Sequence, residues 1–385
     1  MKKLAVMLVL SSLILTGCWS KMEMTERAFV IAIAADRGEN GKIELTFQIY
    51  KPTSQFGAPS VQDEKSAFIN ITLEGSSIFN IVRNNATITG RRSQFSHIQI
   101  ILISEEAAKE VLEGLLDFFY REPEMRLNAP VMITKGKARD YLFGNPMIEN
   151  TIGSQINKQL NVSARLAGKT VKTSLLDLAF QLKNESRSAM MPYLMTEQTY
   201  GQRIVQGIAL IKKDKMVHWV DPEKAEYLLM LANKYKYGVL EIPCIPHSSD
   251  PRMETFEVLK ASTNMKPVIQ ESRVSVQFDV RIEGSIGELV CTSIRDLKDE
   301  QKFVEKMELY VEEQMESVMN ILQQQGVDGI GIGHRLSLRH PSRWKMIRQE
   351  WDDMYPQIPV DIRVKINNES SKMMNPGPFD QTGEQ

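Results

Sequence analysis

Cys18 is the residue whose type and setting point most directly to chemistry. It closes the run Leu15-Thr16-Gly17-Cys18. Small residues ahead of a cut let a peptidase reach the backbone, and an ordinary secretory signal has no use for cysteine there. In a bacterial lipoprotein such a thiol takes a diacylglyceryl group, and cleavage before the cysteine frees an amine that can itself be acylated. Upstream, Lys2 and Lys3 form a positive start, and residues 4–15 are apolar apart from Ser11 and Ser12. An apolar run of about twelve residues suits a signal peptide, whereas a spanning helix takes roughly 20. Residues 1–17 are thus expected to be a lipoprotein signal peptide and 18–27 a lipidated stalk. One acyl chain binds a membrane marginally; two or three on one cysteine hold firmly. The expected partner is a lipid membrane, held from its outer face through Cys18.

Other candidates for chemistry are weaker. The chain has no G-x-S-x-G, no H-E-x-x-H and no Walker loop. Its histidines, His97, His218, His247, His334 and His340, are scattered and not at helical metal spacing. Gly329-Ile330-Gly331-Ile332-Gly333 has the glycine content of a phosphate loop, but a helix precedes it and residues 335–339 read as extended, so it is expected to be a tight turn. Trp344 and Trp351 are seven apart and read as core on one helix face. Glu312-Glu313 and Asp352-Asp353 read as solvated helix faces. Cys244 and Cys291 carry no C-x-x-C and no zinc spacing; they read as two buried thiols, with a disulfide as the alternative in an oxidising compartment. No catalytic residue, metal or cofactor is assigned, and the chain is not expected to be an enzyme.

With 47 basic and 48 acidic residues the formal net charge is -1, and loss of the two leader lysines takes it to -3. That balance gives no footprint for nucleic acid. Hydrophobic residues make up 42%, the content of a globular body.

The elements follow from periodicity. Residues 29–34 and the alternation Ile43, Leu45, Phe47, Ile49 form a hairpin, and Ala67, Ile69, Ile71, Leu73 another strand. Ser76 is expected to cap a helix bearing Ile78, Phe79, Val82 and Ala86, and Ser104 one bearing Val111, Leu112, Leu115, Leu116 and Phe119. Residues 98–103 and 129–133 read as buried strands, and helices are expected within 137–143, 149–166 and 174–183. A hairpin over 204–220 leads to Asp221-Pro222, a cap with proline at the first helical position. Val274, Val276, Phe278, Val280 and Ile282 alternate as a strand wet on one face. Residues 298–325 show helical spacing to Gly326, Pro341 starts a helix reaching Trp351, and 360–366 alternate as a last strand. The fold class is α+β, a multi-domain mixed body with mainly antiparallel or mixed sheets. Its divisions are an N-terminal α+β region at 28–196, a C-terminal α+β domain at 197–367 and a disordered tail at 368–385.

Several short stretches together resemble the Ger(x)C family, the C-subunit lipoproteins of spore germinant receptors in Bacillus and its relatives. They are Gly17-Cys18-Trp19 with Glu23; Thr89-Gly90-Arg91 leading to Phe95-Ser96-His97; Arg121-Glu122-Pro123-Glu124-Met125-Arg126; Asp328 to Gly333; and Pro341, Trp344-Lys345, Trp351 and Tyr355. Ser20 stands where the family usually has Asp, and Glu122 replaces the Asp of R-D-P-E. The resemblance implies a place on the outer surface of the spore inner membrane and association with integral-membrane A and B receptor subunits that answer nutrients. It also implies mixed α/β domains, usually three, and no enzymatic activity. It names no germinant and assigns no contact with one.

Two other classes compete. A solute-binding lipoprotein of a transporter needs two α/β lobes and a hinge, with ligand at the strand ends. A tethered hydrolase or foldase needs a deep pocket with a nucleophile beside a histidine.

Overall fold

The computed structural model describes residues 23–51, 67–245, 251–270 and 273–369. The expected leader, Cys18, the loop at 55–62, His247 and nearly all of the expected tail lie outside them.

The strands are β1 (Arg27–Arg37), β2 (Ile43–Tyr50), β3 (Phe68–Gly75), β4 (Arg92–Gln94), β5 (Ile100–Ser104), β6 (Val131–Thr134), β7 (Ser188–Thr196), β8 (Arg203–Lys212) and β9 (Lys215–Val220) in one sheet, and β10 (Gly238–Pro243), β11 (Met253–Gln270), β12 (Arg273–Ile286) and β13 (Val360–Asn368) in another. The helices are α1 (Ile78–Thr89), α2 (Glu105–Glu110), α3 (Leu112–Arg121), α4 (Ile152–Arg165), α5 (Leu175–Lys183), α6 (Pro222–Leu231), α7 (Leu297–Gln324), α8 (Ile332–Arg339), α9 (Pro341–Ile347) and α10 (Trp351–Met354).

The first sheet runs β3-β2-β1-β5-β6-β7-β8-β9, with β4 alongside the start of β1. Its centre, β1-β5-β6-β7, is parallel, and hairpins flank it on both sides. Central strands are covered on both faces, so they are apolar throughout. Ile33 and Ala35 of β1 join a core with α1, α2, α3 and α5, while Ala32 and Ala34 join a second core with α4. The sheet crosses the division expected at residue 197, because β8 pairs antiparallel with β7 and β9 follows it.

In the second sheet β10, β11 and β12 are antiparallel and β13 joins β12 in parallel. Val274, Val276, Phe278, Val280 and Ile282 are all buried, as the alternation predicts. They meet Phe303, Met307, Val311, Met315, Val318 and Leu322 of α7. Asp296 caps α7 by accepting from the Lys298 and Asp299 backbones, and Gly326, at φ 64°, ends it. The α+β class is thus observed, with one mixed and one mainly antiparallel sheet.

Local departures from the sequence reading have local causes. Ser77, not Ser76, precedes α1, and it makes no side-chain cap. Ile81 turns inward instead of Phe79, which lies exposed beneath the Arg83 guanidinium. Val111, at φ -132°, breaks the expected single helix into α2 and α3. The helix begun at Pro341 likewise stops at Ile347, and Trp351 starts a separate turn.

Candidate functional site

The one site residue assigned from sequence, Cys18, lies outside the described residues. The chain enters them at Glu23, and two clusters then gather the motifs singled out above.

The first cluster surrounds the start of β1. Arg27 and Phe29 pair with Arg92 and Gln94 of β4. The Arg27 guanidinium donates to Gln94 Oε1 at 2.7 Å, and Gln94 donates to Ser96 at 3.0 Å. Asn85 of α1 donates to Ser93 at 2.9 Å, and Gly90 ends α1 in the left-handed region. His97 is exposed, with its ring edge-on to Phe29 at 5.3 Å and Nδ1 within 3.0 Å of Ser96 Oγ. Arg92 lies 3.9 Å from Glu124, which brings the Arg121–Arg126 segment to the same end of the sheet. Most of these groups are hydrogen-bonded to one another, but the buried Asn85 Oδ1 and Glu124 Oε2 have no hydrogen-bond partner among the described residues, and the Ser96 hydroxyl is the one that stands beside an imidazole, that of its exposed chain neighbour His97.

The second cluster is a joint between the sheets. Asp328 is 1% exposed, and its two oxygens accept from the Ile332 and Gly333 backbones, both at 2.7 Å. With Gly331 at φ 79°, this starts α8. The expectation that residues 335–339 are extended is therefore corrected: the carboxylate fills the N-terminus where a phosphate loop would place its ligand. Burial lifts the Asp328 carboxyl to about 7, although the Gly333, Ile332 and Gly331 backbones pull it down. A Cβ on Gly333 would stand 2.9 Å from Trp344 and 3.0 Å from Trp351, and one on Gly329 3.1 Å from Met190 of β7. Trp344 and Trp351 stack edge-on at 5.1 Å, both buried, as core. The Tyr355 hydroxyl donates to Val327 O at 3.0 Å. Lys212 and Lys213, in the β8–β9 turn, reach Asp352 at 2.5 and 3.2 Å. Burial would raise the Asp352 carboxyl, but these two lysines outweigh it and hold it low.

Of the acids expected on solvated faces, Glu313, Asp352 and Asp353 are exposed, whereas Glu312 is partly buried and has a structural role that it shares with Glu308. Glu312 accepts from the Val364 backbone at 2.8 Å, and Glu308 accepts from the Ile366 backbone at 2.9 Å. Both lie on α7 and satisfy the edge of β13 that β12 leaves open. Glu300, two turns before Glu308 on the same helix, accepts from the Asn368 side chain at 2.7 Å. A stripe of glutamates at helical spacing was the signal available in the sequence.

Cys244 and Cys291 are bonded, with Cα atoms 5.9 Å apart. This corrects the reading of two free thiols. Their separation of 47 residues hides the pairing. The antiparallel register brings Pro243 beside Met253 and Thr255 to Glu288, which closes the gap. His218, on β9, is half-buried, and burial lowers its pKa; His334 and His340 are exposed. Among the described residues no group of three His, Cys, Asp or Glu is placed to hold a metal ion, and no helix is long and apolar enough to cross a membrane.

Residues 20–196 match the family described as spore germination protein N-terminal domain, and residues 206–371 the family described as spore germination B3/GerAC like, C-terminal. Spore germination protein KC of Bacillus subtilis is 24% identical over 94% of each chain. Spore germination protein B3 of the same organism is 23% identical over 92% of this chain and 95% of its own. GerQC of Bacillus cereus is 24% identical over 94% and 98%. Among solved structures, the crystal structure of the GerBC protein superposes with a TM-score of 0.58, covering 87% of this chain and 97% of that one at 20% identity. That likeness concerns the fold.

Proposed function

The chain belongs to the spore germination B3/GerAC-like family in both its halves, and from that premise we propose that it is the lipid-anchored C-type subunit of a nutrient germinant receptor. The observation that carries the reading is the collinear match, over nearly its whole length, to curated spore germination proteins. The Leu15-Thr16-Gly17-Cys18 run supports export with lipid on Cys18. The Cys244–Cys291 bond also supports export, because disulfides persist in oxidising compartments. The lipid holds the subunit on the outer face of the spore inner membrane. There it raises the effective concentration of the body for integral-membrane A and B subunits. Its role is binding rather than chemistry, a reading supported by the match of both halves to spore germination families. The solute-binding alternative calls for two similar lobes, and the two sheets here differ in strand number and order.

Two measurements test the proposal. Cys18→Ala is expected to leave the body folded and to move it from the membrane to the soluble fraction; retention after a high-salt wash would sink the anchor. Deleting the gene is expected to slow germination with a nutrient while sporulation stays normal. An unchanged response to every nutrient mixture, in a strain also lacking paralogues, would remove the receptor role.

A further inference from the structure

We infer that the end of the large sheet where β1 begins is a membrane-contact surface, resting the body on the phospholipid headgroups. The inference rests on the lipid at Cys18 proposed above. Five Cα-to-Cα steps lead from Cys18 to Glu23, so the connection reaches at most about 18 Å even when fully extended. Arg27, which opens β1, cannot stray far beyond that. The far end of β1, ten residues on, stands roughly 33 Å further along the strand. So short a tether selects which end of the sheet meets the bilayer.

That end has the side chains an interface would take. Three large apolar residues are exposed there: Met24 at 74%, Ile88 at 58% and Leu127 at 44%. They come from three separate pieces of chain, which the sheet gathers. Met24 lies in the turn just before β1. Ile88 is in the last turn of α1, which packs on α3 and on β4, the strand paired with the first residues of β1. Leu127 follows the Arg121–Arg126 segment, which the Arg92–Glu124 contact ties to β4. Arg91 and Arg126 stand exposed beside these residues, and neither has an ion-pair partner among the described residues. Arginine beside aliphatic side chains suits the headgroup boundary, where the stem lies along apolar surface and the guanidinium meets phosphate. Of the acids at this end, Glu124 lies by Arg92, and Glu23 and Glu26 cap each other's turn. The occupant fitted to this patch is the phospholipid surface to which Cys18 is tied. A protein partner needs no such alignment with the anchor.

The test uses the full, lipidated protein in phospholipid nanodiscs. With Cys18 acylated and Cys244 bonded to Cys291, an introduced cysteine is the single free thiol. A fluorophore is placed at Ile88→Cys or, at the opposite end, at Lys137→Cys, next to Ala138, whose N–H is held by Asp36 of β1. Quencher-bearing lipids are expected to quench the Ile88 label several-fold more than the Lys137 label. Charge reversal at Arg91→Glu with Arg126→Glu should reduce that contrast while the protein stays on the disc. Protein that co-elutes with discs and shows equal quenching at both positions, or a contrast indifferent to both arginines, overturns the surface and leaves the anchor standing. Protein that does not co-elute at all overturns both.

Discussion

Replacing Asp328 with asparagine keeps the side-chain shape and removes its ability to ionise. The native carboxyl is buried, with its pKa lifted from 3.8 to about 7 by that burial. Below about pH 4 it is protonated in both folded and unfolded chains, and its titration contributes nothing to stability. As pH rises through the unfolded value, the unfolded chain loses the proton and the folded one keeps it. Stability therefore falls with rising pH until the folded group ionises too. The whole loss corresponds to roughly 4 kcal/mol, of which about 2 kcal/mol falls between pH 5 and 7. The asparagine variant has no such loss. Its side chain can satisfy one of the Ile332 and Gly333 N–H groups but turns its amide N–H₂ on the other, at a cost of about 1–3 kcal/mol at every pH.

The two proteins should accordingly cross. Asp328→Asn is less stable than the parent near pH 4 and more stable near pH 8. Urea unfolding at a series of pH values measures this, followed by tryptophan fluorescence, since Trp344 and Trp351 are buried beside the turn. Using the difference between the proteins cancels other groups that titrate in the same window, such as Glu226, which burial lifts to about 7 against the pull of Lys169. A difference that stays constant from pH 5 to 8 would refute the claim that this carboxyl is buried and titrates there.

Three further outcomes follow from the same geometry. Gly333→Ala drives a methyl against Trp344 and Trp351 and should cost about 1–3 kcal/mol, read as a lowered thermal midpoint; a neutral effect would mean the indoles are not packed on that backbone. Cys244→Ser with Cys291→Ser opens a loop closed across 47 residues and should lose about 4 kcal/mol in the chain-entropy account; a reductant should destabilise the parent but not the double variant. Glu308→Ala strips acceptors from Ile366 N–H and Lys365 and should cost about 1–3 kcal/mol in urea unfolding, with self-association as the exposed β13 edge finds strands to pair with; a monomeric variant of parental stability would contradict the edge role.

Strands wet on one face were readable from the sequence, because alternation and burial are then the same signal. β12 and β13 are the clearest cases, and α7 is their helical counterpart. The centre of the large sheet was readable only as apolar runs. Residues 100–104 are buried on both sides, so nothing in their pattern says which strand lies next to them or in which direction. The hairpin of β8 and β9 was legible, but its membership of the first sheet was not, since alternation marks a face and not a neighbour. At residues 329–333, glycine and isoleucine alternate with period two, which mimics strand and favours an extended reading of 335–339. The deciding residue is Asp328, four positions before the first helical N–H it accepts from; its reach depends on a backbone turn at Gly331 that no periodicity encodes. The expectation at Cys18 rests on its flanks alone, and the residue lies outside the described ones.

The stretches that carry the family resemblance fall in two places. Thr89 to His97 and Arg121 to Arg126 close the end of the sheet where β1 begins, while Asp328 to Gly333 and Trp344 to Tyr355 close the joint between the sheets. In both, several polar groups are taken up by backbone and by one another: Asp328 by two N–H groups, Asp352 by two lysines, Gln94 between Arg27 and Ser96. A body tethered as proposed above, and stiffened where the sheets join, would hold its remaining surfaces at fixed heights above a bilayer. For a subunit proposed to act by meeting membrane partners, that height is the quantity worth specifying. It follows that substitutions in either cluster should weaken partner contact through misplacement, in proportion to the stability they remove, rather than by abolishing a step.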